Sequence, residues 1–436
     1  MDGASHGRRP RTSRRRVRRA TGVAVALLVL GGAACGSGAG FAEEARAEVP
    51  RAAATDADAA PAVAANDAFA ADLYLELVAT QDGNLVFSPL SISTALAMTR
   101  NGAVGTTRTE MDAVLHAPPG AALDEGLNAV DQALERRNGE RGPDERRGEV
   151  VLRSANALWA QEGLPFEGPF LETMARDYGA GVALVDYRSD PSGARRTINE
   201  WVSARTEEKI PELVPDGVIH ERTRLVLTNA LYFKAPWAEA FSLVGDQPFR
   251  SASGASVAIP TMRGGEGGRY GTGPGWKAAS VPYLGGELSM VVIVPDDLAV
   301  FEDDVDADTF SSVFGELSQP LASVTMPTFR FRSQVRLKDQ LEALGMATPF
   351  TDQADFSAMT TAEPLQIADV VHEGFIAVDQ EGTEAAAATA VVVQAVSAPA
   401  GERLVVDRPF LFAIRDDATG ALVFLGRVTD PSATAD

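Results

Sequence analysis

Residues 384–410 open with Glu384-Ala385-Ala386-Ala387-Ala388-Thr389-Ala390-Val391-Val392-Val393 and close on Arg408-Pro409-Phe410, a composition that no ordinary surface loop requires. With the two-residue period of a strand, one face carries Thr383, Ala385, Ala387, Thr389, Val391 and Val393, none of them charged or bulky. The other face holds Glu384 and Gln394 at its ends, with Ala386, Ala388, Ala390 and Val392 between. Such a segment can lie in water in one state and pack as a central strand in another. Glu-Ala-Ala-Ala-Ala is also good helix sequence and suits a linker. The flanking sequence weighs against a linker. Val370-Val371-His372-Glu373-Gly374-Phe375-Ile376-Ala377-Val378 is β-branched and aromatic like a strand, and Arg403 to Val406, Phe410 to Ile414 and Leu422 to Val428 read the same way.

With the flanks included, the segment resembles a known family. Gly382-Thr383-Glu384-Ala385-Ala386-Ala387-Ala388-Thr389 is similar to the hinge of inhibitory serpins, and Asp407-Arg408-Pro409-Phe410-Leu411-Phe412-Ala413-Ile414-Arg415 to the strand after their reactive loop. Asn84-Leu85-Val86-Phe87-Ser88-Pro89-Leu90-Ser91-Ile92 resembles the serpin entry to the second helix. Leu227-Thr228-Asn229-Ala230-Leu231-Tyr232-Phe233-Lys234-Ala235-Pro236-Trp237 resembles the third strand of the large sheet. Between these two blocks lie Ile198-Asn199-Glu200-Trp201-Val202 and Thr206-Glu207-Glu208-Lys209-Ile210, in serpin order. The resemblance implies an α+β serpin fold over 66–432: helices packed on a large mixed β-sheet, two smaller sheets, and an exposed reactive loop at about 381–401. A tail, 433–436, remains. The Gly-rich run 263–275 and the charged run 135–149 fit inside one such domain, so no linker divides it.

The N-terminus is organised for export. Residues 1–20 carry eight arginines and one acid, and Gly22 to Leu30 is apolar, the layout of a signal peptide over 1–34. An apolar helix over 21–34 would be about 21 Å long, short of the roughly 30 Å hydrocarbon core of a bilayer. The single cysteine, Cys35, excludes an internal disulfide framework. Small residues before it, Gly32-Ala33-Ala34, resemble a bacterial lipoprotein cleavage site, although Gly32 stands where that signal usually has an aliphatic residue. Simple signal cleavage with an incidental cysteine is the alternative. Residues 35–65, rich in alanine and acids, read as a flexible tether. The exported chain would be extracellular, free or held to the cell membrane only through a lipid on Cys35, and monomeric.

Of 39 basic and 60 acidic residues, eight and one lie in 1–34, so the mature chain has a net charge of about −28. That surface repels nucleic acid and anionic lipid. Arg136, Arg137, Arg141, Arg146 and Arg147 interleave with Glu135, Glu140, Asp144, Glu145 and Glu149, which reads as a solvated loop. Enzyme chemistry finds no carriers. His6, His116, His220 and His372 are scattered, no paired-cysteine or His-x-x-x-His spacing occurs, and none of the four lysines follows a glycine. Glu302-Asp303-Asp304-Val305-Asp306 lacks the glycine and terminal glutamate of a calcium loop and reads as an acidic loop entering a helix. The expectation is a chain that is no enzyme and needs neither metal nor cofactor.

What the resemblance implies is a suicide inhibitor of serine proteases. The native fold is kinetically trapped, with its loop outside a five-stranded sheet. A protease attacks the loop, forms an acyl-enzyme, and is carried about 50 Å when the 15 residues 382–396 enter the sheet at about 3.3 Å each. Thr383 is then expected to be the first side chain to pass into the sheet interior. Counting from Gly382 places the reactive bond at Val396-Ser397; counting back from Pro409 would put it on Ala398-Pro399, which serine proteases rarely cut. Val393-Gln394-Ala395-Val396 suits the shallow apolar pocket of elastase-like or subtilisin-like proteases. The resemblance also implies a hydrogen-bonded cluster of Ser88, Ser91, Asn229 and His372 where the sheet opens, acting as a gate, and a top-of-sheet group of Trp237, Thr328 and Gln380. Inhibitory serpins commonly pair a lysine and a glutamate at the positions of Thr328 and Gln380; both are neutral here, and a hydrogen-bonded replacement is expected. The rival reading is a non-inhibitory serpin-fold binding or chaperone module, whose hinge often carries charge, proline or bulk. A lipid-anchored solute-binding protein would need a strand–helix alternation that the chain lacks.

If Cys35 carries a lipid, Cys35→Ala moves the protein from the membrane fraction to the medium. An unchanged distribution, or a mature N-terminus lacking Cys35, removes the lipoprotein reading.

Overall fold

The computed structural model describes Met1 and residues 42–143, 147–384 and 401–433. In chain order these form β1 (Glu43–Ala45), a one-turn 3-10 helix (Asp56–Ala59), α1 (Ala60–Thr80), β2 (Leu85–Phe87), α2 (Pro89–Arg100), α3 (Gly105–Val114) and α4 (Ala122–Arg137). Next come β3 (Gly139–Arg141), β4 (Gly148–Ser154), β5 (Ala157–Gln161), α5 (Gly168–Tyr178), β6 (Val182–Val185), α6 (Pro191–Arg205) and β7 (Leu225–Pro236). β8 (Ser242–Arg250), β9 (Ser256–Gly264), β10 (Arg269–Gly273), β11 (Trp276–Pro282) and β12 (Leu288–Pro295) lead into α7 (Leu298–Asp303) and α8 (Thr309–Gly315). β13 (Gln319–Pro327), β14 (Phe329–Arg336), α9 (Lys338–Ala343), β15 (Val370–Val378), β16 (Gly382–Thr383), β17 (Glu402–Val405), β18 (Phe410–Asp416) and β19 (Leu422–Val428) complete the described chain.

Local chemistry sets the helix starts around the site. Ser88 caps α2, its hydroxyl accepting from Ser91 N–H at 3.1 Å, with Pro89 in the first turn. Asp190 and Pro191 do the same for α6.

The large sheet runs β1-β6-β5-β7-β16-β15-β14, with β4 also on β7 and β3 on β4. It is mixed: β5 with β6 and β7 with β15 are parallel. The two smaller sheets expected from the sequence are joined through β13, which pairs with both β9 and β10. β7 and β15 are almost wholly buried along their length, as central strands covered on both faces must be. One face meets the main core. The other packs Val226, Ala230 and Val371 against Ile198 and Val202 of α6 and Ile210, Leu213 and Val214 of the segment after it.

Three expectations change. From Ala42 onward the presumed tether is held on the domain: β1 pairs with β6, and Gly181 N–H donates to Glu44 Oε1 at 2.5 Å. Arg51 reaches Asn128 at 2.8 Å and Asp131 at 2.6 Å on α4. In 42–65, Arg51 and Asp56 thus meet complementary charge on α4, Asp56 pairing with Arg136 and Arg137, while Glu43 and Glu48 remain exposed. Glu302, read as part of an acidic loop, lies in α7 and binds Arg427 at 2.9 Å and Tyr74 at 2.5 Å. Arg137, read as part of a solvated loop, is 5 % exposed and donates to Asp416, which is fully buried, at 2.7 Å.

Breaking a buried ion pair strands the remaining charge. Arg137→Met should lower unfolding free energy in urea by about 3 kcal/mol. Arg196→Met, whose pair with Asp190 is exposed, should change it by less than about 0.5 kcal/mol.

Candidate functional site: the hinge and the seam of the large sheet

β7 and β15 pair directly over Leu227–Leu231 and Val370–Gly374. Beyond that the chain turns at the end of β15 and comes back between them as β16, setting Gly382 opposite Pro236 and Thr383 opposite Ala235 and Val378. The turn is pinned by Asp379, whose carboxylate accepts from Glu381 N–H at 2.8 Å and Gly382 N–H at 3.2 Å. Trp237 donates its indole N–H to the Asp379 carbonyl at 2.9 Å and stacks on Tyr283 at 4.6 Å. A Cβ on Gly382 would stand 2.2 Å from the Ala235 carbonyl oxygen, so only glycine lets the hinge enter here.

Thr383, expected to be outside the sheet, is already inside it. It is 2 % exposed, and its hydroxyl lies 2.6 Å from the Tyr283 hydroxyl. A small side chain with a hydrogen-bonding partner can be buried without the penalty of an unpaired polar group. Tyr283 had no signal in the sequence because it lies 100 residues away. The hydrogen-bonded replacement expected between Thr328 and Gln380 is not formed. Thr328 bonds the Pro260 carbonyl through its hydroxyl at 3.3 Å and its N–H at 2.9 Å, while the Gln380 carbonyl accepts from Phe241 N–H. Because both side chains are neutral, separating them strands no charge.

Beneath the seam, on the interior face, His372 lies opposite Asn229. Ser88 N–H donates to His372 Nε2 at 3.0 Å, so that nitrogen is the bare one and Nδ1–H donates to Asn229 Oδ1. The Ser88 hydroxyl donates to the Val423 carbonyl at 2.7 Å. Ser91 touches the group only through that hydroxyl; its own goes to Asn156 Oδ1 at 2.5 Å. Asn156, in the break between β4 and β5, is a member that sequence reasoning missed. Asn229 Nδ2 is buried without a hydrogen-bond partner among the described residues. Burial holds the His372 imidazole well below its ordinary value, at about 3, against the opposing hydrogen bond to Asn229.

On the opposite face Glu373 is 3 % exposed, and burial pushes its carboxyl up to about 7 against the pull of Arg332 and Gln334. Glu384, where the inserted hinge ends, pairs with Lys209. Ala385, Ala386, Ala387, Ala388, Thr389, Val396, Ser397 and Cys35 lie outside the described residues. Among the described residues no group of three His, Cys, Asp or Glu side chains is arranged to hold a metal ion.

The chain matches the serpin (serine protease inhibitor) family over residues 64–431. A serpin-like protein of Methanosarcina mazei is 35% identical over 379 residues, covering 84% of this chain and 87% of that one. The human leukocyte elastase inhibitor is 34% identical over 386 residues, covering 84% and 98%. The crystal structure of native tengpin, a thermophilic serpin, superposes with a TM-score of 0.77 at 25% identity over 89% of this chain and all of that one. The chain belongs to the serpin family, the serine protease inhibitors, and has their fold.

The His372 environment has a signed pH consequence. The imidazole stays neutral in the folded chain down to about pH 3, whereas the unfolded one gains a proton near 6.5. Its contribution to stability is therefore complete above pH 6.5 and is lost below it by about 1.4 kcal/mol per pH unit. Glu373 acts in the opposite sense, because its folded value is raised from 4.5. The comparison with His372→Gln isolates the histidine. The stability difference between wild type and variant should shrink between pH 6.5 and pH 4 in urea titrations, and a constant difference contradicts this assignment.

Proposed function

We propose that this serpin is an exported suicide inhibitor, free or anchored through Cys35, that traps an elastase-like or subtilisin-like serine protease as an acyl-enzyme by inserting its loop between β7 and β15. The observation that carries the reading is the register of Gly382 and Thr383 at the head of the seam. Extended in the same register, Ala385 would fall opposite Phe233, Ala387 opposite Leu231, and Thr389 between Asn229 and His372. The one polar residue in the middle of the small face would meet the polar cluster, and its hydroxyl would reach the Asn229 amide, which has no partner among the described residues. The intervening alanines would meet apolar neighbours. A sequence matched to the seam position by position supports insertion over a passive surface loop.

Val396 supports the protease class, as does the name of the human relative, leukocyte elastase inhibitor. Once the bond after Val396 is cut, insertion competes with deacylation, and the absence of charge and bulk on the entering face speeds the former.

Incubation with a panel of serine proteases should yield, with elastase-type enzymes, a complex that survives boiling in detergent. A C-terminal fragment beginning at Ser397 should be released. Val396→Arg should shift inhibition by at least about tenfold towards trypsin-like enzymes, the scale of one lost charged contact at a primary pocket. A fragment beginning elsewhere overturns the reactive-bond register. Cleavage without a stable complex, across the panel, favours the non-inhibitory binding module.

A further inference from the structure

Glu384 has the geometry of a stop. Its backbone φ of 49° is left-handed, a region that residues with a Cβ occupy at a cost, while its N–H bonds the Ala377 carbonyl at 2.7 Å. A strand continuing down the seam needs extended backbone at this position. Insertion beyond Thr383 therefore requires Glu384 to leave the left-handed region.

The Glu384 side chain is 11% exposed, one carboxylate oxygen pairs with the Lys209 ammonium, and the other is buried without a hydrogen-bond partner among the described residues. Lys209 belongs to residues 206–224, the connector from α6 to β7, and its ammonium also lies 6.0 Å from the Phe375 ring on β15. Tyr232 of β7 stands on the same side, its phenol pushed up by burial and then by the nearby Glu384 and Glu207 carboxylates. The connector itself lies over the seam: Leu213 and Val214 pack against Ala230 and Val371, and Gln334 donates to the Glu212 and Leu213 carbonyls at 3.0 and 3.1 Å. In the extended register Ala386 and Ala388 would enter under this connector, opposite Tyr232 and Ala230.

We propose that Lys209 is a positioning residue for loop insertion: by holding Glu384 left-handed it stops the intact loop after one inserted side chain, and it ties release of the loop to lifting of the α6–β7 connector. The proposal rests on insertion between β7 and β15 as read above. An exposed ion pair contributes little, but this one neutralises a carboxylate that is mostly buried. Losing Lys209 leaves a buried charge that is relieved when Glu384 turns extended, and that turn is the first step of insertion.

The test uses the intact full chain without protease. Wild type, Lys209→Met, Lys209→Arg, Glu384→Gln and the Lys209→Met/Glu384→Gln double variant are incubated at one temperature. The inserted form is scored as uncut chain that has become resistant to loop cleavage and has gained unfolding temperature. Lys209→Met and Glu384→Gln should reach it on the order of tenfold faster than wild type, the rate equivalent of the left-handed backbone cost. Lys209→Arg should stay within about twofold, and the double variant should be no faster than either single one, as expected for partners in one interaction. A wild-type rate in Lys209→Met, or multiplied effects in the double variant, overturns the proposal. Should Lys209→Met fail to fold, a wild-type rate in Glu384→Gln overturns it equally. Failure to trap any protease leaves this readout intact, so the two readings fail separately.

Discussion

Five rows of parallel pairing between β7 and β15 are the interaction on which the rest of the structure depends. They close the large sheet at its centre, where both strands are buried on both faces, yet the same rows occupy the place that the loop would fill in the proposed mechanism. Two-faced burial makes the seam costly to open, since its rows carry backbone hydrogen bonds together with buried side chains, apolar at Val370–Leu227 and hydrogen-bonded at His372–Asn229. The molecule eases this cost at the head of the seam, where Gly382 and Thr383 already separate the strands. One end of the seam is thus already wedged apart.

The polar group under the seam suits strands that part, as the proposed insertion requires. His372, Asn229 and the N–H of Ser88 are joined by hydrogen bonds that can be exchanged for others, whereas an apolar plug would lose its contacts outright. The orphaned Asn229 amide makes the closed arrangement less than fully satisfied, which lowers the gap between closed and open seams. On the other face Glu373 and Glu384 are carboxylates held near the seam by Arg332 and Lys209. Both charges belong to the covered side, so the interior face stays clear for the small side chains of the loop.

Much of this was legible along the chain. The run from Val370 to Val378 is β15 with those bounds, and Leu422 to Val428 is β19, because continuous β-branched runs have few other ways to be buried. Of the hinge read from the family resemblance, Gly382 and Thr383 form β16 and Glu384 follows it, while 385–389 lie outside the described residues. Less legible were partners whose signal is a single polar residue far away in sequence: Tyr283 for Thr383, Asn156 for Ser91, Asp416 for Arg137. The stretch from Ala42 to Ala65 was misread because alanine and acid composition is the same for a free tether and for an arm pinned by Arg51 on α4.

By itself, then, the sequence determined that Val370–Val378 and Leu422–Val428 are strands and that one loop carries a face of small, uncharged residues, since these depend on neighbours within a few residues. Tertiary structure alone decided how far that loop enters the sheet at rest, which hydroxyl meets Thr383, and which cation faces Glu384. Those outcomes depend on the register of β16 between two strands that are more than a hundred residues apart. A shift of one residue in that register would exchange the two faces of the hinge, placing Glu384 where Thr383 now lies; only the assembled seam, with Gly382 against Ala235, excludes it.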